Sequence, residues 1–135
     1  MKSAAARPLG QPEYEALAAF RLLLRRFLRF SEAAANAIGL APQQYQAMLA
    51  IKAYPGPDFI SIKELAGQLL IKHNSAVELV NRLEGEGLVA RRVSSLDRRQ
   101  VDVQLTPLGT RTFEKLAAAH HAELARIGPD RRRSD

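Results

Sequence analysis

The stretch 61–105 constrains the fold most, because it holds two short helical patterns in quick succession and then a hairpin pattern. Ser61 and Glu64 form a capping-box sequence, in which the serine hydroxyl accepts a hydrogen bond from the backbone N–H of Glu64. The spacing of apolar residues after this cap predicts a helix over 62–69. A break of a few residues follows, and a second helix is predicted over 73–85. Two helices joined this closely indicate a helix-turn-helix.

Two strand patterns follow the second helix. The first is predicted over 88–93 and the second over 100–105, where alternation places the valines and the leucine inward and the polar residues, Asp102 among them, outward. The polar loop between the strands contains Arg98 and Arg99. The stretch therefore ends in a β-hairpin with an arginine-bearing tip.

Longer helices are expected on both sides of this stretch. A helix over 13–36 carries an apolar stripe wider than a lone surface helix needs. The members of the stripe are Leu17, Phe20, Leu23, Leu24, Phe27, Leu28, Phe30, Ser31, Ala34 and Ala35. Pro42 suits the first turn of a second helix, and Thr106 with Pro107 predicts the cap and start of a last helix that runs to about residue 127. The fold class expected is mainly α with a small antiparallel β-hairpin.

The length of 135 residues and a hydrophobic content of 47% fit one domain with one core. We expect this domain over 13–127, preceded by a flexible arm over 1–12 and followed by a basic, disordered tail over 128–135. The chain has no cysteine, which excludes disulfides and thiolate chemistry within it. An apolar run of membrane-spanning length and a signal-peptide core are both missing from the sequence, so a cytoplasmic protein without membrane contact is expected.

The net charge of +6 fits a polyanionic partner, but its position matters more than its size. The stretch 61–105 carries seven basic and six acidic side chains and is nearly neutral. On the first helix, Arg21, Arg25 and Arg29 are interpreted as a solvated stripe. A case for nucleic acid therefore depends on where the arginines of the hairpin tip lie.

The order helix–turn–helix–hairpin suits double-stranded DNA. The second helix of such a pair can project from the body and enter the major groove, and arginines at a hairpin tip can enter the narrow minor groove. Winged helices also bind proteins, so an interaction module that engages an acidic partner through the tip arginines is the alternative. The sequence has no Gly-rich phosphate loop, HExxH or GxSxG motif, and an enzyme, a cofactor and a metal site are not expected.

The same stretch resembles the MarR family of bacterial transcription regulators. The residues that carry the resemblance are Leu65-Ala66, Ser75-Ala76-Val77, Leu79-Val80-Asn81-Arg82-Leu83-Glu84, Gly87-Leu88-Val89, Arg91-Arg92, Asp97-Arg98-Arg99 and Val101 with Val103-Gln104-Leu105-Thr106-Pro107-Leu108-Gly109. The hairpin, which is called the wing in this family, gives the best match to the family pattern. Its sequence is an Asp-x-Arg followed by alternating valines and Leu-Thr-x-x-Gly. The likeness extends over about residues 13 to 127.

The resemblance implies a homodimer on a pseudo-palindromic operator in double-stranded DNA, and a repressor that a small molecule releases. The segments 13–60 and 106–127 would dimerise and support a DNA-binding part over 61–105. In the wing, Arg99 would enter the minor groove, Asp97 would orient the wing by pairing with an arginine, and Arg98 would bind phosphate.

The second helix of the pair, over 73–85, is the recognition helix that would enter the major groove. The exposed positions expected near its start are Lys72, His73, Asn74, Ser75 and Glu78. The Asn74 amide suits adenine, whereas Lys72 and His73 suit guanine or phosphate. Asn81 and Arg82 lie one turn later and are expected at the DNA backbone. The sequence departs from the family with Leu70 in place of a frequent Gly and Lys72 in place of a small cap residue. Asn74 therefore either reads a base or caps the helix.

The resemblance also implies a site for a small, often aromatic effector between the dimer helices and the DNA-binding part. Phe27, Tyr45, Met48 and His120 are the residues expected to line it, and ordinary core packing explains them equally well. His120 lies in the apolar row of the last helix, so it either packs with both ring nitrogens satisfied or senses pH or a ligand.

Overall fold

The computed structural model describes residues 7–56, 59–94 and 96–127 of the chain. The elements within these ranges are α1 (Gln11–Ala37), α2 (Pro42–Ala53), β1 (Ile60–Ser61), α3 (Ile62–Leu69), α4 (His73–Gly85), β2 (Val89–Val93), β3 (Val101–Leu105) and α5 (Pro107–Ile127). This order confirms the mainly α fold with its antiparallel hairpin between two helical parts. Residues 1–6 of the expected arm and 128–135 of the expected tail lie outside the described residues.

Two helices begin where a side chain satisfies the backbone ahead of the first turn. Helix α1 starts two residues earlier than expected because Glu13 Oε1 accepts from the Gly10 N–H at 2.8 Å. Residues 11 and 12 of the expected arm therefore belong to the helix. At the start of α2, Gln44 Oε1 accepts from the Ala41 N–H at 2.7 Å.

The caps expected from sequence set the start of two other helices. The Glu64 N–H donates to Ser61 Oγ at 3.0 Å at the start of α3. The Gly109 N–H donates to Thr106 Oγ1 at 3.0 Å at the start of α5. These bonds satisfy N–H groups that have no partner inside the helix, so α3 begins at the predicted residue and α5 directly after its predicted cap.

The sheet has one strand more than the sequence predicts. Strand β3 lies in the middle of an antiparallel sheet with the order β1-β3-β2. The hairpin pairs Val89 with Leu105 and Val93 with Val101, whereas the two-residue β1 pairs with β3 on its other side. Strand β1 leads directly into α3, so this pairing attaches the helix-turn-helix to the wing.

The expected outward position of Asp102 is wrong, since this residue is only 1% exposed. It lies on the middle strand between Ser61 of β1 and Arg92 of β2. Its Oδ1 accepts from Gln100 Nε2 at 3.0 Å. The Arg92 guanidinium stacks 4.1 Å from the centre of the Phe59 ring, which comes two residues before Ser61. Arg92 of β2 and Phe59, which precedes β1, thus lie beside Asp102 on the face that alternation placed in solvent.

The core lies where α2 meets the other helices and the sheet. Its fully buried large side chains include Met48, Ile60, Leu65, Val80, Leu83, Val89 and Val103. Helix α2 contacts α1, α3, α4, α5 and β3, so it joins the helix-turn-helix to the two long helices. The recognition helix therefore rests on a shared core and not on the turn alone.

The broad stripe of α1 divides into two parts in the structure. One part, with Phe27, Phe30, Ser31 and Ala35, is turned toward the body of the chain and is buried or half-buried. The other part is exposed and consists of Leu17, Phe20, Leu24 and Leu28. Leu124 on α5, a helix that packs against α1, is exposed as well. The stripe is wide because α1 presents apolar side chains in two directions.

Candidate DNA-binding surface

The turn between α3 and α4 is built around an unusual leucine. Leu70 has φ 57° and ψ 42°, the left-handed conformation that glycine adopts most easily. The Ile71 N–H donates to Ala66 O at 3.0 Å and closes the end of α3. The departure noted at this position therefore keeps the geometry of a glycine turn, with the Leu70 side chain 92% exposed.

Helix α4 buries one face against the body and exposes the other. Its buried residues are Ala76, Leu79, Val80 and Leu83. The predicted DNA-reading residues Lys72, His73, Asn74, Ser75, Glu78, Asn81 and Arg82 are all exposed. The cap position is Lys72, whose side chain makes no capping bond, and Asn74 is the second residue of the helix. Asn74 is thus not the cap residue, and its contact with a base stays a prediction.

The wing tip is ordered by its own polar side chains. Ser94 Oγ accepts from the backbone N–H of Leu96 at 3.1 Å. Asp97 Oδ1 accepts from the backbone N–H of Arg99 at 3.0 Å and from its Nε at 3.3 Å. The arginine that pairs with Asp97 is therefore Arg99 itself, and its side chain is still 93% exposed. Asp97 shapes the turn in such a way that Arg99 projects from the tip.

The wing tip and the start of α4 border the same cleft of about 590 Å³. Its basic lining residues come from four parts of the fold, namely Lys63 of α3, His73 of α4, Arg91 of β2 and Arg99 of the tip. The acidic Asp97 also lines it. The exposed start of the recognition helix and the arginine of the tip thus lie on one side of the molecule, which is the arrangement that groove binding by both elements requires.

Arg91 was not singled out from sequence, yet it joins the wing to the recognition helix. Its Nε donates to Glu84 Oε1 at 3.0 Å, and its Nη2 donates to Asn81 Oδ1 at 2.6 Å. Asn81 was predicted to contact the DNA backbone, and the structure shows its amide oxygen held by Arg91. The basic pair Arg91-Arg92 was a visible signal, but sequence alone did not show which of the two faces α4.

The base of the wing is fixed to the start of α5. Thr106 Oγ1 donates to Gly87 O at 2.6 Å, and the Thr106 N–H donates to Leu88 O at 3.1 Å. Gly109 lies so close to Leu88 that a Cβ at this position would be 2.0 Å from the Leu88 carbonyl oxygen. The Leu-Thr-x-x-Gly signature therefore has a physical basis, because a hydroxyl and a missing side chain join the wing to α5 at this point.

Three of the four predicted effector residues form an aromatic cluster with their neighbours. The Tyr45 and His120 rings stack with centroids 4.2 Å apart, and Phe27 meets the His120 ring edge-on at 5.8 Å. Met48, the fourth residue, is fully buried. Burial also raises the pKa of the Tyr45 phenol above its ordinary value. Tyr45, Met48 and His120 are thus buried and Phe27 is partly buried, and the binding of an effector among them stays a prediction.

Both ring nitrogens of His120 have partners. Nδ1 lies 2.7 Å from Leu116 O and Nε2 lies 2.8 Å from Ser31 Oγ. A carbonyl oxygen can only accept, so Nδ1 carries the hydrogen in the neutral ring, and Ser31 then donates to Nε2. The structure therefore shows a packed histidine with satisfied nitrogens that joins α5 to α1.

Among the residues the structure describes, no group of three or more His, Asp or Glu side chains is placed to hold a metal ion. None of the described helices combines the length and apolarity that crossing a membrane requires.

Helices α3 and α4 with the β2–β3 wing define a winged helix-turn-helix. Residues 38–100 match the model of the MarR family. Over 88 residues the chain is 30% identical to the HTH-type transcriptional repressor MdtR of Bacillus subtilis. The aligned region covers 65% of this chain and 55% of MdtR. The chain is similar to the MarR family over residues 38–100. It spans about half the length of the curated relatives it matches.

Solved structures share the fold over most of the chain. AbsC, a MarR family transcriptional regulator from Streptomyces coelicolor, has a TM-score of 0.76 at 24% identity and covers 90% of this chain and 82% of its own. A mutant MarR from E. coli complexed with operator DNA has a TM-score of 0.69 at 19% identity, with coverage of 92% and 89%. NadR in complex with 4-hydroxyphenylacetate also scores 0.69, at 22% identity with coverage of 93% and 84%.

Proposed function

We propose that this chain is a transcriptional regulator that binds double-stranded DNA as a homodimer and is not an enzyme. The observation that carries the proposal is the common side shared by the exposed start of α4 and the Arg99 tip, both of which border one cleft. An α-helix fits the major groove, and an arginine fits the narrow minor groove beside it. The E. coli MarR structure with operator DNA supports this partner for the fold.

The contacts proposed for each element follow from exposure and chemistry. Lys72, His73, Asn74, Ser75 and Glu78 would read base edges or adjacent phosphates from α4. Arg82, exposed near the end of α4, and Arg98 at the tip would bind phosphate. Arg99 would enter the minor groove, with Asp97 fixing its direction. Because the stretch 61–105 is nearly neutral, its affinity for DNA would depend on where these cations lie and not on its net charge.

The exposed part of the α1 stripe supports the homodimer. Leu17, Phe20, Leu24 and Leu28 leave a continuous apolar row in solvent along two turns or more of α1, and monomeric proteins rarely expose such a row. A second copy of the chain would cover it with the same residues through a two-fold axis. Two recognition helices related in this way would meet half-sites about 10 base pairs apart on a pseudo-palindrome.

The dimer is tested by charge insertion with a matched control. Leu24→Glu should yield a monomer in sedimentation and a large loss of operator binding, since a carboxylate would be buried between the copies. Leu49→Glu changes a leucine of nearly equal exposure on α2, 43% against 42%, and should remain dimeric. A Leu24→Glu protein that sediments as a dimer would contradict the proposed interface.

DNA binding is tested by selecting bound duplexes from a random pool and then measuring variants on the selected operator. Arg99→Ala should weaken binding roughly tenfold or more and make the salt dependence shallower by about one unit. Arg29→Ala removes the same charge from an exposed position on α1 and should change neither quantity. Binding that ignores Arg99→Ala would favour the alternative, a module for an acidic protein partner.

We further propose that the protein represses transcription and that a small aromatic molecule releases it from DNA. The stacked Tyr45 and His120 rings lie where α2 and α5 meet α1, so a planar ligand inserted there would shift helices that position both the wing and the second copy. The 4-hydroxyphenylacetate bound by NadR supports an aromatic acid as the probe. It should lower operator occupancy and restore expression of a reporter behind that operator. No change in occupancy at millimolar concentration would reject this probe class.

A further inference from the structure

We propose that Arg91 is a positioning residue that sets the direction of the wing relative to the recognition helix, and that it acts through Glu84 and Asn81 and not by contact with DNA. The inference rests on the proposed DNA binding and names a residue that controls it.

The contact that carries the inference joins β2 to the last two turns of α4. The Arg91 guanidinium donates from Nε to Glu84 Oε1 at 3.0 Å, and its Nη2 lies 3.0 Å from the same oxygen. Nη2 also donates to Asn81 Oδ1 at 2.6 Å. Glu84 and Asn81 are three residues apart on α4, so they lie on the same face. A planar guanidinium suits two acceptors held in this way better than an ammonium group does.

The remainder of β2 offers little else to hold the wing against α4. Val89 is buried at the base of the strand, but the four residues from Ala90 to Val93 are exposed. Strand β2 is also the edge strand on this side of the sheet, since its single neighbour is β3. Arg91 therefore holds the strand two residues beyond the point where apolar packing ends.

A small change of direction at this point would be magnified at the tip. From Val89 to Val93 the strand rises about 13 Å, so a rotation of about 10° at its base displaces the far end by about 2 Å. The minor groove is only about 6 Å wide, and an arginine displaced by that amount no longer aligns with it. The Arg91 contact would thus decide whether α4 and Arg99 meet adjacent grooves together.

A direct phosphate contact is the competing role, because Arg91 lines the same cleft as Arg99. The two roles predict opposite effects at Glu84. If Glu84 is merely an acidic side chain near DNA, its neutralisation removes repulsion and tightens binding. If Glu84 holds Arg91 in place, its neutralisation weakens binding. The Arg91 side chain is 32% exposed. Its guanidinium already donates to Glu84 and Asn81 in the protein without DNA.

The test is a double-mutant cycle of Arg91→Lys and Glu84→Gln on the operator selected by the wild-type protein. We expect each single variant to weaken operator binding on the order of fivefold. The double variant should lose no more affinity than the single variant that binds the operator more weakly. The slope of affinity against salt should stay at the wild-type value in all three. Arg98→Ala, at a proposed phosphate contact, should instead make that slope shallower by about one unit.

The outcomes separate the inference from the proposed function. A wild-type protein that selects no duplex would reject the proposed function itself. A wild-type protein that binds, with Glu84→Gln binding as well or more tightly, would overturn the inference and make Arg91 a phosphate ligand. Thermal melting of each variant identifies general destabilisation. Hydrogen exchange at the β2–β3 amides provides a readout without DNA, and it should be faster in both single variants.

Discussion

Replacement of Gly109 by alanine tests the junction between the wing and α5. A Cβ built at this position lies 2.0 Å from Leu88 O and 2.9 Å from Leu88 C, whereas real Cβ contacts essentially never fall below 3.0 Å. The atoms met are backbone, so no side chain can rotate away. Helix α5 and the start of the wing would therefore have to separate by about 1 Å, which is a backbone shift of the kind that overpacking forces.

The cost can be assembled from the contacts. Overpacking of this kind costs about 1–3 kcal/mol. The two hydrogen bonds from Thr106 to Gly87 O and Leu88 O lie at the same junction, and their loss costs about 1 kcal/mol each. The better helix propensity of alanine offsets up to about 1 kcal/mol. The net loss of about 2–4 kcal/mol corresponds to a fall in melting temperature on the order of 10 °C for a chain of this length.

The assay is thermal unfolding followed by circular dichroism at one fixed protein concentration. Gly67→Ala is the matched control, because Gly67 is also helical and a Cβ there would meet nothing within 4 Å. This control should melt at the wild-type temperature or slightly above it. If Gly109→Ala melts within about 2 °C of the wild type while the control behaves as expected, the close approach of α5 to Leu88 does not limit stability, and the reasoning is refuted.

Three further predictions concern stability. Leu70→Gly should raise the free energy of unfolding by about 0.5–1 kcal/mol, because the left-handed backbone costs a leucine more than the lost chain entropy costs a glycine; Leu70→Ala, which keeps the strain, should show no such gain in denaturant unfolding. Ser31→Ala should lower the free energy of unfolding by about 1–3 kcal/mol, since it leaves His120 Nε2 buried without its donor, and a loss near zero in urea would contradict that bond. Burial raises the pKa of Tyr45, so the unfolded chain releases this proton before the folded protein does, and stability should decline as pH rises past 10.0, the ordinary pKa of a tyrosine. Tyr45→Phe should reduce that decline in unfolding curves measured from pH 8 upward, and an unchanged decline would assign it to other groups.

The sequence predicted those elements whose ends are marked by local chemistry. Helix α3 begins and ends at the predicted residues because Ser61 supplies a cap and the apolar spacing stops at Leu69. The bounds of α4 are also as predicted, and the cap at Thr106 sets the start of α5. Each of these signals lies within a few residues of the feature it predicts.

Features that depend on distant parts of the chain could not be read in the same way. Strand β1 has two residues, too few for any alternation to show, and it exists because β3 offers a free edge. Asp102 was placed in solvent because alternation describes one strand and not the neighbours that cover it. The role of Arg91 depends on Asn81 and Glu84, seven to ten residues away and across a turn.

The two-sided stripe of α1 has a thermodynamic consequence. Phe27 and Ser31 on its inner side contact His120. Leu24 and Leu28 are exposed, and they would contact a second copy in the proposed dimer. Folding of each chain and association of two chains would then both depend on α1. The midpoint temperature of unfolding should therefore rise with protein concentration. At protein concentrations too low for two free copies to associate, a DNA site that contacts both copies would favour the proposed dimer by mass action.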